Sequence, residues 1–289
     1  MNSSETVNIH CENIGEFSRR QNIAEEQRRL SVSELVETFV SGDFGREAGD
    51  VCEEFRKKLP MSTYEDRARL CMALGASRRY GTELWRHSFF GEEIAAGSHG
   101  KVALVRNRYN ESAFSCFSKV ITTPKEVFSP SFSAACEDVY DSRCEFCILP
   151  VENSRNGRLF GFYSMLDRYE LKICAVCEPD SESVEGSAKY ALVGRAIPDR
   201  VPKNAHWSFE FSVISDNGKA LSDISGVADI FGARLSKIDS LPVEYDSGLQ
   251  KYYFTFDLPE KNIPPFHLFM SEEYTRYTLV GLYPRVDQT

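Results

Sequence analysis

A glutamate, an asparagine and a serine stand side by side where an apolar run of the chain ends. Glu152, Asn153 and Ser154 follow the strand-like residues 148–151, and a glycine and a helical pattern come next. A carboxylate can transfer protons, and amide and hydroxyl groups can orient a polar ligand. The same residues also suit a helix start, because Asn and Ser cap helices and a carboxylate is favourable near a helix N-terminus. Both interpretations, a ligand site and a capped helix, stay open.

Two Cys-x-x-Cys pairs have a spacing that could hold a metal ion. Cys144 with Cys147, and Cys174 with Cys177, resemble the ligand pairs of a four-cysteine zinc site. Cys147 and Cys174 fall in apolar, strand-like runs, however, and residues three apart on a strand face opposite sides. Neither pair carries the turn glycine that is usual at such sites. Buried free thiols are the better interpretation, so the sequence predicts no metal site.

The composition argues against several classes of function. The chain has 289 residues, 42% of them hydrophobic, and a net charge of −9, which suits a globular protein with room for two domains. An acidic chain without a long Lys/Arg run argues against non-specific nucleic-acid binding. No apolar run approaches the roughly 18 residues of a membrane span, and neither a signal pattern nor a nucleotide-binding fingerprint occurs. We predict a soluble cytoplasmic protein, with a plastid location left open, that uses no cofactor and binds neither nucleic acid nor membrane.

Three segments of the chain differ in their patterns. Residues 1–98 are mainly helical, with apolar residues at helical spacing after Ser31, which is a possible cap. Residues 99–200 alternate strands and helices, which predicts a mostly parallel sheet. After a proline-containing linker, residues 204–289 have the order β-α-β-β-α-β of a ferredoxin-like arrangement. The predicted fold class is therefore α/β with a small C-terminal module.

The middle and last segments resemble a known enzyme family. The run LPVENSRNG (residues 149–157), followed by LDRYELKICAVCE (residues 166–178), is similar to the LPxENS motif and the next strand of prephenate and arogenate dehydratases. NGKAL (residues 217–221), DSLP (residues 239–242) and GLYP (residues 281–284) resemble motifs of the ACT domain that follows the catalytic domain in that family. The resemblance implies a two-lobed, periplasmic-binding-protein-like (type II) domain with substrate in its cleft, followed by an ACT domain.

Several family features are absent from this chain. In the family a Thr-Arg-Phe motif on the last catalytic strand carries much of the chemistry, and Ala-Lys-Tyr stands there at residues 188–190. The family inserts its second lobe after the strand that ends near Glu178, where this chain soon begins another strand. Residues 1–98 resemble parts of that lobe, with Ser31 near its Ser-His-Pro position. We therefore hypothesise a circular permutation in which the second lobe comes first.

The residues that match the family's motifs form three predicted groups. The catalytic group is Glu152, Asn153 and Ser154, and the ligand-binding cleft adds Tyr109, Glu111, Ser31, Ser187 and Lys189. The effector site of the ACT-like segment comprises Asn217, Gly218, Ala220, Leu221, Asp239 and Ser240. The resemblance implies a prephenate-like molecule or an aromatic amino acid as ligand, and a homodimer through the ACT domain.

Two functions stay open at this point. The first is a weakly active or inactive relative of the dehydratases that binds a ligand and has a regulatory role in phenylalanine metabolism. The second is an active prephenate or arogenate dehydratase, a carbon–oxygen lyase of L-phenylalanine biosynthesis. The missing threonine favours the first, because the leaving hydroxyl needs a positioned proton donor. The Glu-Asn-Ser triplet keeps the second open.

Overall fold

The computed structural model describes residues 3–42, 44–45, 47–81, 99–153, 157–158, 160–179, 188–195, 206–216, 219–243 and 248–286. The helices in these ranges are α1 Ser3–Ser41, α2 Ala48–Lys58, α3 Tyr64–Ala76, α4 Arg108–Phe117, α5 Phe132–Tyr140, α6 Phe160–Tyr169, α7 Lys219–Ala228 and α8 Ile263–Glu273. The strands are β1 Lys101–Val105, β2 Lys125–Ser129, β3 Phe146–Asn153, β4 Gly157–Arg158, β5 Lys172–Cys177, β6 Ala188–Gly194, β7 Trp207–Ser215, β8 Arg234–Pro242, β9 Gln250–Leu258 and β10 Tyr277–Val286. No described helix is both long and apolar enough to cross a membrane.

The strands form one continuous sheet in the order β2-β1-β3-β6-β5-β10-β7-β9-β8, with β4 paired to β3. Strands β2 and β3 both run parallel to β1, as the alternation of strands and helices predicted. Strand β6, however, runs antiparallel between β3 and β5. The cause is the short connection, because only residues 178–187 separate β5 from β6 and a parallel neighbour needs a crossover of about a dozen residues or more.

Strands β7 to β10 form the ferredoxin-like part of the sheet. Each neighbouring pair in the order β10-β7-β9-β8 is antiparallel, and α7 and α8 connect the strands in the predicted order β-α-β-β-α-β. We call this part the second unit, and β1–β6 with α4–α6 the first unit. The two units share one sheet, because β5 of the first pairs in parallel with β10 of the second. We call this pairing the seam.

The sheet curls strongly around helix α6. Strands β3 and β8 are six strand spacings apart in the order of the sheet, which would be roughly 29 Å in a flat sheet. The side chains of Glu152 on β3 and Lys237 on β8 nevertheless meet in an ion pair of 2.7 Å. Inside the curl, Tyr163 and Leu166 of α6 share one buried core with Tyr253 of the second unit. Helix α6 is therefore wrapped by both units.

The N-terminal helices lie on the outer side of the second unit. Helix α3 packs against α8 and contacts α7, and α1 packs against α3 and α2. The guanidinium of Arg67 on α3 donates to both carboxylate oxygens of Glu273, at 2.7 and 2.9 Å. The described elements of residues 3–81 are all helices. Their position on the second unit gives no support to the hypothesis that they supply a second lobe to the first unit.

A glycine in β10 allows the two strands of the seam to approach each other. Gly281 lies opposite Ile173 of β5 and Glu210 of β7. A Cβ atom at Gly281 would lie 2.6 Å from the Cβ of Ile173 and 2.9 Å from its carbonyl oxygen. Because the obstacle includes backbone, a side chain could enter here only if the strands moved apart.

We expect Gly281→Ala to destabilise the protein by about 2 kcal/mol or more, since overpacking of a closed core costs roughly 1–3 kcal/mol and strand separation adds to it. Gly226→Ala is the matched control, because a Cβ at Gly226 in α7 would meet nothing within 4 Å. That control should be neutral or stabilising by up to about 1 kcal/mol, since alanine favours a helix interior. Urea unfolding measures both variants. Equal stability of the two variants would contradict the role of the seam.

A histidine of α8 is kept neutral close to the seam. His267 hydrogen-bonds through Nδ1 with the hydroxyl of Tyr277. Burial, and after it the charge of Lys172 on β5, lowers the pKa of His267 from 6.5 to about 4. The folded state therefore disfavours the protonated ring. Its contribution to stability is complete above the ordinary pKa of 6.5 and is lost as the pH falls from 6.5 towards 4.

Between pH 7.5 and pH 5, we expect the free energy of unfolding to fall by about 2 kcal/mol more in the unaltered protein than in His267→Gln, because only the imidazole must lose a proton to fold. Chemical unfolding at the two pH values measures the difference. The acidic residues titrate in both proteins, so their contributions cancel. The same pH dependence in both proteins would show that His267 is not held neutral by the fold.

Candidate functional site

The end of strand β3 carries the glutamate that the sequence predicted as catalytic. The register of β3 against β6 shifts between Pro150 and Glu152, so that Val151 is an extra residue on β3. Such a bulge re-aims the side chains that follow it. Glu152 lies directly opposite Lys189 of β6, and directly opposite residues point to the same face of a sheet.

An ion pair links Glu152 to the second unit. The ammonium of Lys237 on β8 donates to the carboxylate of Glu152 over 2.7 Å and lies 3.7 Å from the carboxylate of Asp239. Together with Lys189, these residues form what we call the junction cluster. The side chains of Lys237, Glu152 and Asp239 are 36%, 29% and 28% exposed, so water and small solutes have access to them. The ammonium of Lys237 and the carboxylates of Glu152 and Asp239 thus lie at the rim between the units, and Lys189 is the partner of Glu152 on the neighbouring strand.

The junction cluster unites residues that the sequence assigned to two separate sites. Glu152 and Lys189 were predicted in the dehydratase-like cleft, and Asp239 in the effector site of the ACT-like segment. The curl of the sheet brings them together through Lys237, which sequence reasoning missed. The sequence signal that could have identified Lys237 is its spacing from Asp239 in β8, because residues two apart on a strand share a face. Lys237 and Asp239 form such a pair.

Tyr109 and Glu111 lie at another place on the first unit. They belong to the first turn of α4, which Asn107 caps by accepting hydrogen bonds from the backbone N–H groups of Tyr109 and its neighbour. Burial, and after it the proximity of Tyr109, raises the pKa of Tyr190 on β6. Neighbouring residues on a strand face opposite sides, so Tyr190 and Lys189 point away from each other. The structure therefore separates Tyr109 from the junction cluster.

The other predicted residues do not join the junction cluster. Ser31 lies inside α1, where its hydroxyl donates to the carbonyl of Gln27, so the predicted cap at Ser31 is wrong. Ala220 is buried in the core beneath α7, and Leu221 packs against the same core. Ser240 is exposed on β8. The side chain of Asn153, and all of Ser154, Ser187, Asn217 and Gly218, lie outside the described residues.

The two Cys-x-x-Cys pairs lie on opposite faces of the first unit's sheet. Cys144 and Cys147 belong to the core under α5 and α6, whereas Cys174 and Cys177 belong to the core under α4. The thiol of Cys147 contacts Cys136 at 4.0 Å. Burial raises the pKa of Cys144 to about 11, which makes its thiol unreactive near neutral pH. The four thiols are buried and lie in two separate cores, so they do not converge on one point.

A buried carboxylate joins the units in their interior. Glu210 on β7 is fully buried, and it accepts hydrogen bonds from the hydroxyl of Tyr163 on α6 at 2.6 Å and from that of Tyr283 on β10 at 2.7 Å. The ring of Tyr163 also stacks on Tyr253 of β9, with the ring centroids 3.7 Å apart. Sequence reasoning missed Glu210, although it is the single charged residue in the run WSFEFSVIS. We call these three hydrogen-bonded residues the Glu210 network.

We expect Tyr163→Phe and Tyr283→Phe each to destabilise the protein by about 1–3 kcal/mol, because each removes a donor from a buried carboxylate. Tyr140→Phe serves as the control, since Tyr140 is 46% exposed, and it should change the free energy of unfolding by less than about 0.5 kcal/mol. Thermal and urea unfolding provide the measurement. If all three variants are equally stable, the network does not hold the units together.

The fold of this chain is similar to that of solved protein structures. No known family profile matches the chain, and no curated protein matches it. Among solved structures, prephenate dehydratase from Streptococcus mutans matches with a TM-score of 0.53 and 18% identity, over 64% of this chain and 98% of that one. A structure described as GqqA, a novel type of quorum quenching acylase, matches with a TM-score of 0.50 and 16% identity, over 64% of this chain and 94% of that one. At these identities the likeness concerns the fold alone, and this chain has a prephenate dehydratase-like α/β fold.

Proposed function

We propose that this chain is a ligand-binding relative of the prephenate dehydratases that does not catalyse dehydration and that acts in aromatic amino-acid metabolism. One observation carries the proposal. Strand β5 ends at Cys177 and its sheet neighbour β6 begins at Ala188, so ten residues occupy the place where the family inserts its second lobe. A dehydratase holds its substrate between two lobes, and ten residues are too few to build one.

The residues that stand at the family's catalytic positions in the first unit support the same conclusion. Ala188 stands where the family has the threonine of its Thr-Arg-Phe motif, and a methyl group cannot assist a leaving hydroxyl with a proton. Glu152, the family's motif residue on β3, is already paired with Lys237. The carboxylate must leave this ion pair before it can contact a substrate.

The charge pattern of the junction cluster suits an α-amino acid. Two ammonium groups, of Lys189 and Lys237, can receive a ligand carboxylate, and the carboxylates of Glu152 and Asp239 can receive its ammonium. The partial exposure of the cluster allows a ligand to replace water there. We propose an aromatic amino acid or a prephenate-like acid as ligand, in agreement with the motifs of residues 149–157.

The proposed organisation of the chain follows from these assignments. Residues 99–200 correspond to the family's first lobe, and residues 204–289 correspond to an ACT domain. The second unit has the ferredoxin-like strand order of such a domain. Of the helices described within residues 3–81, α3 packs against α7 and α8, and α2 contacts α8. A homodimer through the second unit belongs to the same proposal.

An active prephenate or arogenate dehydratase is the second candidate. It is favoured by the position of Glu152 at the end of β3, where the bulge at Val151 turns the carboxylate towards a partly exposed rim. In that case the ion pair with Lys237 would open when substrate binds.

Turnover assays separate the two candidates. The purified full-length chain is incubated with prephenate and then with arogenate, and phenylpyruvate and phenylalanine are measured. We expect no product above the uncatalysed rate. Turnover that Glu152→Ala abolishes would contradict the proposal and establish the second candidate.

Binding is tested by titration calorimetry with L-phenylalanine, L-tyrosine and prephenate. We expect Lys237→Met to weaken binding by about tenfold or more, since a charged hydrogen bond contributes roughly 1.5–3 kcal/mol. Lys261→Met is the matched control, because Lys261 is exposed and follows β9 outside the junction cluster. Equal affinities of the two variants would place the ligand elsewhere, and no heat with any of the three compounds would contradict the proposed ligand class.

A further inference from the structure

Most of the buried thiols lie in contacting pairs. The structure describes eight cysteines, all of them buried and free, and six of these contact each other across two different elements. The pairs are Cys52 with Cys71, Cys116 with Cys177, and Cys136 with Cys147. None of them is a Cys-x-x-Cys pair, so the spacing in the sequence did not indicate them. Two thiols in contact can be joined by a disulfide when an oxidant takes up their two hydrogen atoms.

The pair of Cys52 and Cys71 lies in the layer of N-terminal helices. Its two sulfur atoms are 3.9 Å apart and connect α2 with α3. Helix α2 has 11 residues, and a helix of that length is marginal in water by itself. It is held by packing on α1, α3 and α8. A short outer helix of this kind can open locally at a lower free energy than the rest of the fold.

The pair of Cys136 and Cys147 lies deeper, although its sulfur atoms are almost as close, at 4.0 Å. Both residues are fully buried, and Cys147 belongs to β3, which lies between β1 and β6 in the sheet. Exposure of Cys147 requires these strands to separate, which approaches global unfolding. The two pairs therefore have similar geometry but differ in how easily solvent can reach them.

The closed pair in the N-terminal helices does not react directly with an oxidant. The hydrogen bond with Cys52, and after it burial, raises the pKa of Cys71, so this residue stays a thiol, whereas the thiolate is the reactive form. When α2 opens, Cys52 enters water, where a fraction of cysteine side chains is thiolate near neutral pH. When α2 closes, the sulfur of Cys52 returns to contact with that of Cys71. Opening therefore controls the first step of an oxidation, and the contact controls the second.

We propose that Cys52 and Cys71 are an oxidation site, at which hydrogen peroxide forms a disulfide that locks α2 to α3. The thiolate of Cys52 attacks one peroxide oxygen, the O–O bond breaks, and hydroxide leaves a sulfenic acid behind. The sulfur of Cys71 then attacks the sulfur of Cys52, the S–S bond forms, and the hydroxyl group leaves with the proton of Cys71 as water. The two cysteines lose two electrons and the peroxide gains them. The inference is independent of the proposed ligand, because it rests on the N-terminal helices alone.

The disulfide fixes the two helices that hold the C-terminal end of α8. Arg56 on α2 and Arg67 on α3 both bind the carboxylate of Glu273, at 3.1 and 2.7 Å. When α2 opens, Glu273 loses one of these two guanidinium groups, and the buried part of α2 leaves the core of the second unit. A covalent link from Cys52 to Cys71 opposes this separation. Oxidation therefore favours the state in which the N-terminal helices stay on the second unit.

Peptide mapping tests the site. The purified full-length chain is treated with hydrogen peroxide, the remaining thiols are alkylated in denaturant, and the tryptic peptides are identified by mass spectrometry. We expect residues 47–56 and 70–78 as one cross-linked species that reduction separates, while the pair of Cys136 and Cys147 stays reduced. In Cys71→Ala, dimedone should trap the sulfenic acid at Cys52. Absence of the cross-link in the unaltered chain, or equal cross-linking of both pairs, would overturn the proposal.

The rate of cross-linking tests the opening of α2. Arg56→Gln removes the ion pairs of α2 with α8, so we expect it to speed cross-linking about fivefold, which corresponds to about 1 kcal/mol. Arg143→Gln is the matched control, because Arg143 pairs with Asp138 and Asp141 in the first unit, and it should leave the rate unchanged. Circular dichroism confirms that both variants are folded. Equal rates in the two variants would contradict the opening step and overturn the proposal.

Thermal unfolding tests the lock. We expect the melting temperature of the cross-linked chain to lie about 5 °C or more above that of the reduced chain, because closing a loop of about 20 residues restricts the unfolded state. Peroxide should cause no such rise in Cys71→Ala. The same melting temperature for the cross-linked and the reduced chain would show that the disulfide does not hold the N-terminal helices in place.

Discussion

The parallel pairing of β5 with β10 is the constraint on which the rest of the structure depends. It joins two units from different segments of the sequence into one sheet, and it fixes the orientation of the second unit's strands relative to those of the first. Because the sheet then curls around α6, Lys237 on β8 reaches Glu152 on β3. Without the seam, these two residues would belong to separate bodies joined by a linker. The junction cluster is thus a product of tertiary pairing rather than of any local motif.

Two of the polar contacts described between the units, the Glu210 network and the junction cluster, differ in their surroundings and therefore in their properties. The Glu210 network lies in the interior, where a carboxylate without donors would be costly and where two tyrosines supply them. Such a network fixes the position of α6 and is closed to solvent, because its three residues are buried. The junction cluster lies at the rim, where water weakens its ion pairs and lets other charges compete for them. The fold therefore separates the contacts that give rigidity from those that can respond to a solute.

Local sequence patterns predicted most of the helices and strands. The predictions that failed concern places where elements that are distant in the sequence lie side by side. Alternation and helical spacing were enough for the ferredoxin-like order of β7 to β10 and for the parallel strands of the first unit, because these depend on neighbouring residues. The antiparallel direction of β6, the position of the N-terminal helices and the partner of Glu152 depend on which elements lie side by side. The periodicity of a single strand does not contain that information. Ser31 illustrates the same point at a smaller scale, since a serine before an apolar run marks a cap only if the helix begins there.

The seam also affects how the chain can be synthesised and folded. Ile173 and Gly281 are partners in the sheet, although more than one hundred positions separate them along the chain. A pairing between such distant positions closes a large loop and raises the contact order, which slows folding. As the chain leaves the ribosome, β5 has one edge exposed until β10 has emerged. We therefore expect the first unit to remain incomplete until β10 has been translated, and a chain that stops before β10 to leave both units unfinished.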